Sequence, residues 1–70
     1  MNEWLAARAD ALGVEHLTPE QISLLLNLAG DAAHESGTRT NAPLLCYLVG
    51  RAHAAGASLE ELAEIVRSTS

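Results

Sequence analysis

The chain has 70 residues, with nine acidic and four basic side chains, one Cys, one Trp, one Tyr and no Phe. This length allows one domain spanning residues 1–70, and the net charge of −5 argues against binding nucleic acid or anionic membrane surfaces, which both need clustered cations. One thiol forms no internal disulfide and no leader peptide follows Met1, so we expect a cytoplasmic protein.

Alanine and leucine dominate the composition and strand-forming residues are scarce, which predicts an all-α fold. The first helix is predicted over residues 3–12, with Asn2 as its N-terminal cap and Gly13 just past its end. The second is predicted over residues 19–36, because Thr18 to Gln21 forms a capping box with a proline at the first helical position.

The second half of the chain predicts two further helices. Helix 3 is expected over residues 42–55, with Asn41 as its cap and a proline in its first turn. Helix 4 is expected over residues 59–68, opened by a capping box from Ser58 to Glu61. The sequence therefore predicts a compact four-helix domain with short loops and no membrane-spanning segment, since no apolar run approaches the roughly 20 residues that cross a bilayer.

Apolar residues recur at helical spacing in each predicted helix and define the faces expected to be buried. These are Trp4, Leu5, Ala9 and Leu12; Ile22, Leu25, Leu26, Ala29, Ala32 and Ala33; Leu44, Leu45, Leu48, Val49 and Ala52; and Leu59, Leu62, Ala63, Ile65 and Val66. Leu24 and Leu28 lie beside the stripe of helix 2, either in the core of a central helix or in a subunit contact. Gly30 and Gly50 weaken their helices, which predicts a close helix crossing there.

The spacing of reactive side chains gives little support to metal binding or catalysis. Cys46 and His53 lie two helical turns apart, about 10.5 Å along the axis, whereas zinc ligands lie about 2.0–2.3 Å from one shared ion. Asp31 and His34 could contact one ion, but no third and fourth ligand lies nearby in the sequence. Binding pockets enclose about 300–1,000 Å³, which is more volume than a small single core leaves free. We expect no metal, no cofactor and no enzymatic activity.

Polar side chains gather around the connection between helices 2 and 3. His34 lies near the end of helix 2, Arg39 in the loop, and Asn41 just before helix 3. Because a helix start favours anions, Arg39 and the neighbouring threonines can hold a carboxylate or phosphate there. In the structural alternative Asn41 only caps helix 3, and His34 covers the carboxyl end of helix 2. Arg39 then pairs with Glu35.

Two longer segments carry a family resemblance. Residues 27–34 read NLAGDAAH and residues 41–50 read NAPLLCYLVG, preceded by Trp4-Leu5 and Leu12-Gly13. In this order they resemble a small actinobacterial helical domain family of unknown function, whose members read L-A-x-x-x-A-H and then A-P-L-x-x-[FY]-L-x-G. That family also occurs fused behind molybdenum-cofactor guanylyltransferases and near formate dehydrogenase genes. The resemblance implies an auxiliary role in maturing or holding a molybdoenzyme, and it carries over no catalytic residue.

We therefore expect a non-catalytic protein–protein interaction module, an accessory subunit or maturation factor for a molybdenum-cofactor enzyme such as formate dehydrogenase. The candidate contact residues are His34, Arg39 and Asn41, which also form the candidate anion site. Trp4 is either an aromatic anchor of the same interface or a filler of the core. If the loop is the interface, replacing His34 and Arg39 by alanine weakens partner capture and leaves the helicity unchanged.

Three other hypotheses stay open at the level of sequence. The first is a small anion- or nucleotide-binding module that uses residues 34–43. The second is a purely structural homodimer formed through Leu24, Leu28 and Tyr47. DNA binding through a helix-turn-helix has the least support, because helix 4 would present its glutamates to the DNA phosphates.

Overall fold

Four α-helices joined by short connections make up the protein in a computed structural model, which describes residues 1–69. They are α1 (Glu3–Leu12), α2 (Pro19–Ser36), α3 (Asn41–Ala54) and α4 (Leu59–Ser68). The predicted all-α, four-helix fold is confirmed, and α1, α2 and α4 have the predicted bounds. Helix α3 begins and ends one residue earlier than predicted. Within the described range, no helix is both long enough and apolar enough to cross a membrane.

Side-chain caps fix where α1, α2 and α4 begin. The Asn2 side chain accepts a hydrogen bond of 2.8 Å from the backbone N–H three residues on. At α2, Gln21 N donates to Thr18 Oγ1 at 3.1 Å and Thr18 N donates to Gln21 Oε1 at 2.9 Å, so the predicted capping box is present. Ser58 Oγ accepts from Glu61 N at 3.1 Å. These bonds satisfy N–H groups that have no partner inside their own helix.

Helices α2, α3 and α4 enclose one small hydrophobic core. Leu28 of α2 is fully buried, and Leu24 packs against the same core from its edge. The other buried members of this cluster are Val49, Leu59, Leu62 and Ala63. Of the two alternatives for Leu24 and Leu28, the structure places Leu28 in the core, where no second subunit can contact it, and Leu24 beside it at the partly exposed edge.

Several side chains predicted to face the core lie at the surface instead. More than half of the residue surface is exposed at Trp4, Leu12, Leu26, Leu44, Leu48 and Ile65. Helical spacing identifies an apolar stripe along each helix, but three helices around one core cover only part of each stripe. The predicted buried faces are consequently too wide, and a substantial apolar surface remains in contact with solvent.

The glycines inside helices do not mark a close helix crossing, contrary to the prediction. A Cβ atom built on Gly30 or on Gly50 meets no neighbouring atom within 4 Å. Both positions therefore have room for a methyl group. Gly13 and Gly37 differ from them, because their φ angles of 71° and 70° lie in the left-handed region that ends a helix and that other residues rarely adopt.

Helix α1 lies apart from the other three helices. Within residues 1–69, no Cα atom of α1 comes within 8 Å of a Cα atom in α2, α3 or α4. The radius of gyration is accordingly 12.4 Å, against about 11 Å for a compact chain of this length. Local bonds join the end of this helix to the segment that follows it: Val14 N donates to Ala9 O at 3.0 Å, and His16 Nε2 donates to Asp10 Oδ1 at 2.7 Å. Ala9 is the buried residue of this helix.

Candidate interaction surfaces

His34, Arg39 and Asn41 all lie around the α2–α3 connection and all are exposed. His34 lies in the last turn of α2, and Asn41 is the first residue of α3. Asn41 lines a shallow cavity of about 300 Å³ together with Glu35 and Leu45, whereas His34 and Arg39 do not line it. The structure thus places the three predicted residues near one connection without joining them in one pocket.

The prediction that Asn41 caps α3 is wrong. Thr40 occupies the cap position with helical φ and ψ angles of −68° and −14°, and it makes no side-chain cap bond. Asn41 N donates to Thr38 O at 3.0 Å and Ala42 N donates to Arg39 O at 3.2 Å. Because residues 38–41 already form a turn, α3 grows directly out of that turn and needs no side-chain cap.

The same bonds reduce the number of free backbone N–H groups at the start of α3 that could bind an anion. An anion site at a helix start depends on free backbone N–H groups. Here the N–H groups of Asn41 and Ala42 are already bonded within the turn, and Pro43 has none. Arg39 would then be the main remaining donor, so the geometry gives the anion- or nucleotide-binding hypothesis little support.

The predicted ion pair between Arg39 and Glu35 is also wrong. Within residues 1–69 the charged pair is Arg67 with Asp31 at 3.6 Å, and His16 contacts Asp10 at 2.7 Å; Arg39 takes part in neither contact. The charged pair joins α4 to α2 at a half-exposed position, where such contacts contribute little to stability.

Trp4 lies on the outer surface of α1 and is 64% exposed, so the interpretation of Trp4 as a core filler is wrong. The Arg8 guanidinium carbon lies over the indole, 3.9 Å from the ring centroid, and Arg8 Nη1 donates to Trp4 O at 3.3 Å. A cation on an aromatic face is attracted by the ring quadrupole. Arg8 therefore restrains the orientation of the indole, while Leu12, 75% exposed, lies two turns further along α1.

A second cavity, which no sequence pattern indicates, lies beside the segment joining α1 to α2. It measures about 550 Å³, and its lining includes Leu17, Leu25, Cys46, Gly50 and His53. His53 Nδ1 lies 2.7 Å from Ala57 O; since a carbonyl oxygen only accepts, Nδ1 carries the proton. No group of three or more metal-binding side chains occurs within the described residues, and Cys46 is partly buried.

A comparison with known protein families matches the whole chain, residues 1–70, to DUF6457, a domain of unknown function. The chain belongs to this family. No curated protein and no solved structure matches it. Fold and family are thus established for this DUF6457 domain.

Proposed function

We propose that this DUF6457 domain is a non-catalytic protein–protein interaction module that docks on its partner through α1. The position of this helix and the exposure of its apolar side chains support the proposal. Helix α1 lies apart from the core and presents Trp4 and Leu12 to solvent with exposed fractions of 64% and 75%.

The short length of α1 indicates that this helix needs packing against another surface to be stable. Isolated helices shorter than about 12–15 residues are marginal in water, and α1 has 10 residues. Caps support it at both ends: the Asn2 side chain at its start and the left-handed Gly13 at its end. Capping alone does not replace the apolar packing from which helices in proteins gain most of their stability. A partner surface that covers Trp4 and Leu12 would supply that packing.

The chemistry of the exposed face suits a binding anchor. Tryptophan and arginine are enriched among the residues that dominate binding energy at protein interfaces, and a buried indole removes about 150–250 Å² from water. Arg8 already restrains the Trp4 ring, which lowers the entropy lost when the indole is fixed in a complex. His34, Arg39 and Asn41 are the candidates for a second, polar contact at the α2–α3 connection.

The family resemblance adds a partner class to this proposal. The partner would be a molybdenum-cofactor enzyme such as formate dehydrogenase, or a protein that matures one, and the domain would act as its accessory subunit. We further propose a cytoplasmic location, which the single free cysteine supports. The mode of binding through α1 and the class of partner are separate parts of the proposal, so they are tested separately.

The test is co-expression of the tagged domain with the subunits of a formate dehydrogenase and its maturation proteins, followed by measurement of the dissociation constant of any captured pair. Trp4→Ala is expected to raise that constant about 30-fold or more, the effect of truncating a dominant anchor. Leu26→Ala is the matched control, because Leu26 is 67% exposed but lies on α2; it should leave binding unchanged.

Two results would contradict the proposal in different ways. Equal binding by the wild type and by Trp4→Ala would show that α1 is not the docking helix. Capture of an unrelated protein with the expected loss in Trp4→Ala would preserve the docking mode and refute the partner class. The double variant His34→Ala, Arg39→Ala should keep its helicity, because both residues are exposed; unchanged capture would remove the loop from the interface.

A further inference from the structure

An apolar groove of about 360 Å³ lies between α3 and α4, and we call it the α3–α4 groove. Two buried residues of the core, Val49 and Leu62, contribute to its lining. Leu48 and Ile65 also line it and are 57% and 59% exposed. The groove therefore opens the edge of the core to solvent, and apolar side chains of a partner that enter it leave water. The rest of the lining consists of Leu45, Ala52, Val66 and Thr69.

Carboxylates of α2 and α4 border the α3–α4 groove. Glu61 and Glu64 line the surface that adjoins the groove at Ile65, and Glu35 lines the surface that adjoins it at Leu48. Within residues 1–69 none of these three carboxylates forms an ion pair. The apolar groove thus has a negatively charged border on two sides.

Arg67 lies beside this border but is engaged with another carboxylate. It lines the same surface as Glu61 and Glu64, and its Nε atom lies 3.6 Å from Asp31 Oδ2. The whole chain also has a net charge of −5. Cationic side chains of a partner are therefore attracted to the border of the groove, and carboxylates of a partner are repelled.

The charges of the helices argue against a second copy of this chain as the occupant. Helix α1 carries two acidic residues and one arginine, α2 three and none, and α4 three and one. Helix α3 has no acidic residue, but it forms one wall of the groove. Two copies that met there would bring the glutamates of both borders together, and such like-charge contacts cost free energy.

We propose that the α3–α4 groove binds an amphipathic helix of a different protein, with lysine or arginine on both sides of its apolar face. In helix-in-groove recognition, apolar anchors spaced by one or two turns fill the groove. Here they contact Leu48 and Ile65, while the flanking cations meet Glu35, Glu61 and Glu64. The proposal does not rest on docking through α1, because the two surfaces share no residue.

The test is the binding of a labelled synthetic peptide to the purified full-length domain, followed by fluorescence anisotropy. The peptide is an amphipathic helix of about four turns, with leucines on one face and lysines on both sides of that face. In the comparison peptide every lysine is replaced by glutamate. We expect the lysine peptide to bind saturably and at least about tenfold more tightly than the glutamate peptide. Raising the salt concentration from about 0.05 to about 0.5 M should weaken its binding.

One pair of variants locates the apolar contact. Leu48→Gln places an amide in the groove and should raise the dissociation constant of the lysine peptide at least about tenfold, the effect of losing a dominant anchor. Leu26→Gln is the matched control, because Leu26 is similarly exposed on α2; it should bind as the wild type does. Far-UV circular dichroism verifies that each variant is folded, and Ile65→Gln replaces Leu48→Gln if that variant is unfolded.

A second pair of variants locates the charged contact. The double variant Glu61→Gln, Glu64→Gln removes two charges from the border and should bind the lysine peptide more weakly, with a smaller dependence on salt. The double variant Glu3→Gln, Glu20→Gln changes the net charge equally, but its residues line neither the groove nor its borders. It should retain most of the affinity and of the salt dependence.

Four results would overturn the proposal. They are the absence of saturable binding, equal affinity for both peptides, unchanged binding by Leu48→Gln, and equal losses in the two charge variants. Sedimentation of the free domain covers the alternative occupant, since a dimer that Leu48→Gln dissociates would assign the groove to a second copy. Trp4→Ala should bind the lysine peptide normally, and Leu48→Gln should leave capture through α1 intact. Failure of one proposal is therefore distinguishable from failure of the other.

Discussion

Leu28→Ala tests the assignment of the hydrophobic core at its most buried residue. Leu28 is fully buried, and it packs with buried residues from α3 and α4. The substitution deletes three carbon atoms from the place where the three helices meet. A matched substitution, Leu26→Ala, removes the same atoms from the same helix at a position that is 67% exposed.

The expected magnitude follows from burial. Three methylene equivalents at about 0.8 kcal/mol each give about 2.4 kcal/mol of lost transfer free energy, and the residual cavity raises measured Leu→Ala costs to about 2.7–5.0 kcal/mol. A small core with exposed edges can partly close around the cavity, so we expect about 3 kcal/mol for Leu28→Ala. A domain of this size has a total stability of only about 4–10 kcal/mol. The loss should lower Tm by roughly 12–24 °C.

The assay is urea unfolding followed by circular dichroism for the wild type and both variants. Leu26→Ala should change the free energy of unfolding by no more than about 0.5 kcal/mol, because it is a surface substitution to a good helix former. A cost below about 1 kcal/mol for Leu28→Ala, or equal costs for the two variants, would refute the assignment of the core.

Further substitutions test the helix ends and the glycines. Ser58→Ala removes the acceptor of the Glu61 N–H bond and should cost about 1 kcal/mol; no change in urea unfolding would show that this cap is dispensable. Gly30→Ala and Gly50→Ala should each raise the free energy of unfolding by about 0.5–1 kcal/mol, because an added Cβ meets no neighbour. A lower free energy of unfolding in either variant would instead support a close helix crossing at that glycine. Gly37→Ala should instead lower Tm, since its φ angle is 70° and alanine is strained there.

Local sequence patterns predicted the helices well because their ends are encoded within a few residues. Thr18 with Gln21, Ser58, and the left-handed Gly13 each act within one helical turn. Asn41 shows the limit of that reasoning, since its side chain could cap a helix but the preceding turn already supplies helical geometry.

Burial was less predictable, because it depends on how many neighbours each helix has. Leu26 and Leu28 differ by two positions and are equally apolar, yet one is 67% exposed and the other is fully buried. Likewise, the exposed state of Trp4 follows from the position of α1 outside the core, which no local pattern encodes. The contact residues proposed at the α2–α3 connection stay predictions, since exposure alone does not distinguish a binding loop from an ordinary one.

Amide hydrogen exchange of the free domain and of its complex tests the central claim, that α1 is a docking helix that lies apart from the other three helices. In the free domain, the amides of α1 should exchange at least about tenfold faster than those around Leu28 and Val49, because exchange follows local stability. Binding of the partner should slow exchange in α1 more than in α2. Protection of α1 equal to that of the core in the free domain would show that this helix is already part of the cooperative fold, and would contradict the account.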